Sequence, residues 1–248
     1  LMLHDGGKEQ ETPHFIRYFE ATMGMLDSVP LPPETRTYLP IGHRELIETV
    51  REGFSSSVGL EPVEESLSLA RGGNQMFYVG RYGHCEELGT GLAVGLRNSY
   101  DKSLAAGMCC GAKVFVCDNL CFDGDVVVFR KHTKHGMRDV RKLVSEAAEL
   151  AEDRFYEMVA DFDAFREAEL SEEEGFALLG RLFYRKVLKV KQFTVASNEW
   201  RSPSHDTFDD RSVWSFYNSV TAALKTAGPG NVFQLHSRLH RFVHEEVL

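Results

Sequence analysis

The hydrophobic period of this chain switches abruptly at Gly136, and that change limits the folds open to it. Ahead of it stand short pieces rich in Val, Phe and Tyr: Met76–Arg81, Gly91–Arg97, Ala112–Cys117 and Asp125–Arg130. Glycines at 72, 73, 83, 89, 107, 111 and 124 punctuate them, which predicts strands joined by tight turns. With no helix between them, an antiparallel meander is expected rather than parallel βαβ units. The loop from Asp118 ends in Asp123-Gly124, a hairpin signal ahead of the last strand.

After Gly136 the apolar residues Val144, Ala148, Ala151, Phe155, Met158, Phe162 and Phe165 recur every three or four positions. One long helix, to about Glu169, is expected. Its seam lies across the sheet in one reading; in the other it meets a second copy of the chain, so a homo-oligomer through residues 144–165 is expected there. Ser171 and Glu174 form a capping box opening a helix through Val187, and further helices are expected at Val213–Leu224 and from Val232 onward. Leu46, Ile47, Val50 and Phe54 mark a shorter amphipathic helix stopped at Gly59. The fold class is therefore α+β: an antiparallel meander in the N-terminal half packed against long helices of the C-terminal half. No linker or repeat separates them, which predicts one domain over residues 1–248, with 1–40 an irregular arm, 41–135 β-rich and 136–248 helical. The chain opens on Leu1 rather than Met, so a cut or altered end is expected, and that end carries no functional argument.

Five cysteines and no apolar leader point to reduced thiols, no disulfide and a cytoplasmic setting, that of the host cell if the chain is phage-encoded. No stretch approaches the length of a membrane span. The net charge of −9 is concentrated: Leu143–Phe176 holds twelve acids against Arg154 and Arg166, a balance of −10, leaving +1 elsewhere.

Two basic clusters flank that acidic element. Arg130, Lys131, Lys134, Arg138, Arg141 and Lys142 face one acid, Asp139, at the start of the long helix, where cations oppose the helix dipole and a bound anion would relieve them. Arg181, Arg185, Lys186, Lys189 and Lys191 interleave with Phe183, Tyr184 and Phe193, the mixture of phosphate-holding cations and stacking rings that a single strand requires. Arg97, Arg130, Lys131, Lys134, Arg138, Arg185 and Lys189 are the candidate nucleic-acid contacts, joined by Lys102 in a polar turn. A solvated strand end or core rings would also explain both clusters.

Other patterns point away from chemistry. His236, His240 and His244 repeat every fourth residue, but the first and third stand two turns apart, so a half-buried polar stripe is expected rather than a metal site. The cysteines lack paired C-x-x-C spacing. Ser99-Tyr100-Asp101-Lys102 matches S-x-x-K, yet neither S-D-N nor K-T-G follows. No phosphate-cradling loop, H-E-x-x-H or dinucleotide fingerprint is present, so no catalytic residue, metal or cofactor is assigned.

The runs Gly95-Leu96-Arg97-Asn98-Ser99-Tyr100-Asp101-Lys102-Ser103, Ala112–Leu120, Arg130–Thr133 and Trp214–Lys225 resemble the phage/plasmid-like protein family filed as domain of unknown function 932. The resemblance covers the chain from about residue 40 and implies an origin in mobile elements, among recombination and anti-restriction genes. The expected function is nucleic-acid binding, as a single-strand binding or annealing protein. The alternatives are an interaction protein that inhibits a host defence system through its acidic helix, binding a host protein, and a metal-dependent hydrolase built on His84, Asp118 or the late histidines.

Overall fold

A six-stranded antiparallel sheet in the order β1-β2-β3-β4-β5-β6 forms the first half of the protein. The computed structural model describes residues 19–85, 89–114, 119–130, 132, 136–228 and 230–248. The strands are β1 (Phe19–Glu20), β2 (Pro62–Ala70), β3 (Gln75–Cys85), β4 (Thr90–Ser99), β5 (Ala106–Val114) and β6 (Asn119–Arg130). Every neighbouring pair is antiparallel, as the short turns require. The helices are α1 (Met23–Leu26), α2 (His43–Val58), α3 (Gly136–Glu167), α4 (Glu172–Tyr184), α5 (Val190–Arg201), α6 (Val213–Leu224) and α7 (Val232–Glu246). The meander and the helical second half are as expected.

Strand alternation divides the sheet into two faces. On one, Tyr78 pairs with Leu96, which pairs with Met108, and Gly80 pairs with Val94, which pairs with Cys110. This face meets α2 and α3 in a continuous core that also takes in Leu179, Trp200, Phe216 and Leu239 of the later helices. On the other, Phe77, Arg97 and Cys109 meet Phe233 at the start of α7.

The α3 seam Val144, Ala148, Ala151, Phe155, Met158, Phe162 and Phe165 is buried within the chain. Packing against α2, the sheet and α6 occupies it, so the seam is not the free surface that assembly through residues 144–165 requires. The outward side of α3 instead exposes Leu150 and Tyr156.

Local chemistry explains several boundaries. Gly59 ends α2 with φ 70°, a left-handed conformation that glycine adopts without strain. Ser171 and Glu174 make the capping box of α4. A Cβ on Gly175 would fall on the Trp200 indole, so the close approach of α4 and α5 requires glycine. The Trp200 indole N–H donates to the Glu172 carbonyl at 3.1 Å.

Three expectations need correction. Asp123-Gly124 is not a hairpin turn; it lies inside β6, where β5 advances from Cys109 to Gly111 while β6 runs from Val127 back to Phe122, so the pair makes an irregular bulge. Strand β2 and the first half of β5 lie where no strand was expected. Helix α5 also lies where no helix was expected.

Candidate nucleic-acid interface

The expected contact residues do not share one surface. Arg97 is 6% exposed and turned inward: its guanidinium donates to the Gly230 carbonyl at 2.5 Å and lies 5.8 Å from the Phe233 ring centroid. It fastens β4 to the turn before α7, where a strand phosphate does not reach. Lys102 has φ 61° and places its ammonium 4.5 Å over the Tyr38 ring. Arg138 is exposed on the first turn of α3, with Asp139 at 3.9 Å. Arg130 pairs through its backbone with Ala106; its side chain, Lys131 and Lys134 lie outside the described residues. Arg185 is held by Glu246, with one contact at 2.8 Å, alongside Arg181, and both guanidinium groups lie over Phe242 at 5.2 and 5.1 Å.

Lys189 differs. The turn between α4 and α5 and the first turns of α7 enclose a concavity of about 420 Å³. Its cations are Lys186, Lys189 and Arg238, and its neutral polar groups are Asn231, Gln234 and Ser237. No carboxylate lines it, and none of the three cations makes an ion pair among the described residues. Asn231, Gln234 and Arg238 stand at i, i+3 and i+7, one stripe of α7. Arg238 is steadied by a hydrogen bond to the Arg185 carbonyl, which joins α7 to the turn. Lys189 begins α5, its backbone N–H donating to Gln192 Oε1 at 3.0 Å, which leaves its side chain at the rim.

Lys186 sits at φ 58°, a left-handed conformation that costs a non-glycine residue about 1–2 kcal/mol. The conformation belongs to the end of α4, where the Lys186 and Val187 N–H groups donate to the Phe183 and Leu182 carbonyls, both at 2.9 Å. Beside it Tyr184 is 86% exposed and Val190 72% exposed, while Phe183 leans edge-on against Phe193 at 5.6 Å. Tyr184 is the most exposed ring of this cluster and lies two residues ahead of Lys186 in the chain. Sequence reasoning missed the α7 contribution; its signal was the polar i, i+3, i+7 stripe following Gly228-Pro229.

A second polar cluster lies on the opposite face of β4. Asn98 Nδ2 donates to the Ile41 carbonyl at 2.8 Å and to His43 Nδ1 at 3.0 Å, and His43 Nε2 contacts the Gly73 carbonyl at 2.9 Å. With Nδ1 accepting, His43 carries its proton on Nε2. The Ile41 amide donates to His132 Nδ1 at 2.9 Å, so His132 is likewise the Nε2–H tautomer. His43 stacks on Tyr100 at 3.8 Å and His132 on Tyr38 at 5.4 Å. Burial pushes His43 down to about 4, against the Gly73 hydrogen bond, and lowers His132 as well. Both rings are neutral fastenings between the sheet and the segment leading into α2. Asn98 Oδ1 and His132 Nε2 are buried with no hydrogen-bond partner among the described residues.

The histidine stripe of α7 divides. His236 is buried, and burial pushes it down to about 3. His240 and His244 flank Asp161 of α3 at 3.0 and 3.2 Å. Burial opposes ionisation of Asp161, but the two histidines hold its carboxyl below the usual range. Cys109, Cys110 and Cys121 are buried thiols, and burial pushes Cys110 up to about 12. Among the described residues no group of three or more His, Cys, Asp or Glu is arranged to hold a metal. The His84 side chain and Asp118, on which the hydrolase reading drew, lie outside them. Ser99 of the S-x-x-K string bonds the Leu104 carbonyl in a closed turn, at 3.0 Å.

An antiparallel meander backed by helices, with a cation-lined concavity on the helical side, defines the class: an α+β protein. The sequence matches the family described as Domain of unknown function (DUF932) over residues 33–243, and the chain belongs to that family. No curated protein and no solved structure matches it. Among the described residues no helix is long and apolar enough to cross a membrane.

Proposed function

We propose that the protein binds single-stranded nucleic acid through the surface formed by the α4–α5 turn and the start of α7, in keeping with a mobile-element role in strand binding or annealing. The observation that carries this reading is the concavity lined by Lys186, Lys189 and Arg238 without a carboxylate; the exposed Tyr184 ring lies two residues from Lys186 in the chain. Cations hold phosphates at any sequence, and an exposed ring stacks on any base, at about 1–3 kcal/mol per base. The neighbouring Arg181 and Arg185 share the single carboxylate of Glu246, which ties both guanidinium groups down within the chain.

Fluorescence anisotropy with a labelled single strand at low salt tests the reading. Wild type binds, and the Lys186→Glu, Lys189→Glu, Arg238→Glu variant loses binding while keeping its thermal unfolding midpoint. Strand binding that survives in this variant would refute the assignment.

The α3 surface favours a second reading, an interaction protein that engages a basic partner. Glu149, Glu152 and Asp153 are exposed there without ion pairs among the described residues, beside Leu150 and Tyr156. Charge reversal at these three acids abolishes partner binding in that case and leaves strand binding intact under the first.

A further inference from the structure

Resting on the strand-binding reading, we propose that the concavity between the α4–α5 turn and α7 receives the terminal phosphomonoester of a nucleotide, at the end of a strand or on a free nucleotide. Three features separate this from general backbone contact. First, the space is a pocket of about 420 Å³. That falls in the small-molecule range of about 300–1,000 Å³, enough for a whole nucleotide rather than one passing phosphate. Second, the charge matches. Lys186, Lys189 and Arg238 bring three cations to one place with no lining carboxylate. A terminal phosphomonoester carries about −1.5 to −2 at neutral pH, because its second proton leaves near pH 6. An internal phosphodiester carries one charge and offers fewer free oxygens. Third, the neutral donors Asn231, Gln234 and Ser237 share the pocket, which equips it for hydrogen bonds to phosphate oxygens and sugar hydroxyls.

Tyr184, two residues before Lys186 in the chain and 86% exposed, is the ring proposed to stack on a terminal base once its phosphate is seated. Lys186 is held in the left-handed region and so presents its ammonium from a fixed backbone position. Arg238 is braced by the Arg185 carbonyl. The fold therefore constrains two of the three cations before any ligand arrives.

The test uses the full chain and one internally labelled strand in three forms: 5′-phosphorylated, 3′-phosphorylated and bearing hydroxyls at both ends. A nucleoside monophosphate and its nucleoside serve as unlabelled competitors. A strand phosphorylated at the preferred end binds about tenfold more tightly than the hydroxyl form, the scale of one or two charge-assisted hydrogen bonds. The monophosphate competes and the nucleoside does not. Lys186→Gly and Lys189→Gln remove the preference; the glycine suits the left-handed position, so the first variant keeps its fold. The preference also declines as pH falls through about 6, where the phosphomonoester gains a proton.

Equal affinity for all three strands overturns this inference and leaves the strand-binding reading standing. Binding of the monophosphate without any strand binding supports the pocket, assigns it to a free nucleotide and removes the strand-binding reading. Absence of binding by every probe overturns both.

Discussion

Arg97 and Asn98 are neighbours on β4, and the structure sends them to opposite faces of the sheet, into two polar regions built on different principles. Asn98 enters a closed cluster in which His43 and His132 make hydrogen bonds within the chain and both rings stack on tyrosines. Arg97 points to α7, behind a pocket whose cations Lys186, Lys189 and Arg238 make no ion pair among the described residues. The first region holds the fold together. In the second, the cations lack an ion-pair partner among the described residues, which is what the proposed anion would supply. Conspicuous polar residues therefore divide by where their partners lie, inside the chain or outside it.

Acid should separate the regions most strongly. His43 is pushed from 6.5 to about 4 and His236 to about 3, both chiefly by burial, so the unfolded chain binds protons more readily than the folded one. The neutral rings therefore support the fold fully above about pH 6.5, and that support is lost as pH falls from there toward the folded values. The loss is on the order of 3 kcal/mol for His43 alone. Urea unfolding across pH 7 to 4 measures it, and a His43→Gln background should remove a large part of the slope. A flat profile would show that these imidazoles are not held neutral.

Asn98→Ala comes next. It strands the Ile41 carbonyl and His43 Nδ1 inside the protein and should cost about 2–4 kcal/mol. If its strand affinity at low temperature stays near wild type, the closed cluster is structural, as the geometry indicates. A selective loss of binding with unchanged stability would place ligand contact on that face and erase the distinction.

Arg97→Met should have a smaller effect, about 1–3 kcal/mol, because the side chain keeps its packing against Phe233 while the Gly230 carbonyl loses its cation. Affinity for a strand should fall modestly, since the turn leading into the pocket is loosened and none of the pocket cations is removed. Denaturation and anisotropy on the same variant read both effects.

Much of the architecture is legible in the residues themselves. Val144 through Phe165 spells a buried helical seam, Ser171 and Glu174 spell a cap, and Gly59 spells a stop. Strand β2 is hidden because Glu64, Glu65 and Ser66 are polar and its partner β1 covers only its far end, so its identity comes from pairing with Arg81, Gly80 and Val79. The start of β5 is hidden because Gly107 and Gly111 read as turn residues, although Gly107 sits opposite Arg97 in the sheet. Helix α5 is hidden because Lys189, Lys191 and Gln192 mask the apolar face that ends in Ala196 and Trp200.

The binding surface is half legible. Lys189 and the exposed ring belong to a basic, aromatic cluster that the sequence displays, but Arg238 lies far along the chain and joins it only through the packing of α7 onto the turn. Charge counting also misleads at Arg181 and Arg185, because the carboxylate they share, Glu246, lies 65 and 61 residues further along the chain.

The central claim, that the pocket cations serve a phosphate ligand and not the fold, is tested most directly by the salt dependence of single-strand affinity. Three phosphate contacts contribute about 2 to the slope of log K against log salt concentration, at about 0.7 per contact. The Lys186→Gln, Lys189→Gln, Arg238→Gln variant should therefore show a slope shallower by about 2, with an unfolding free energy within about 0.5 kcal/mol per site of wild type. A variant that binds with the wild-type slope would contradict the account, because the strand would then be held by other cations of the protein.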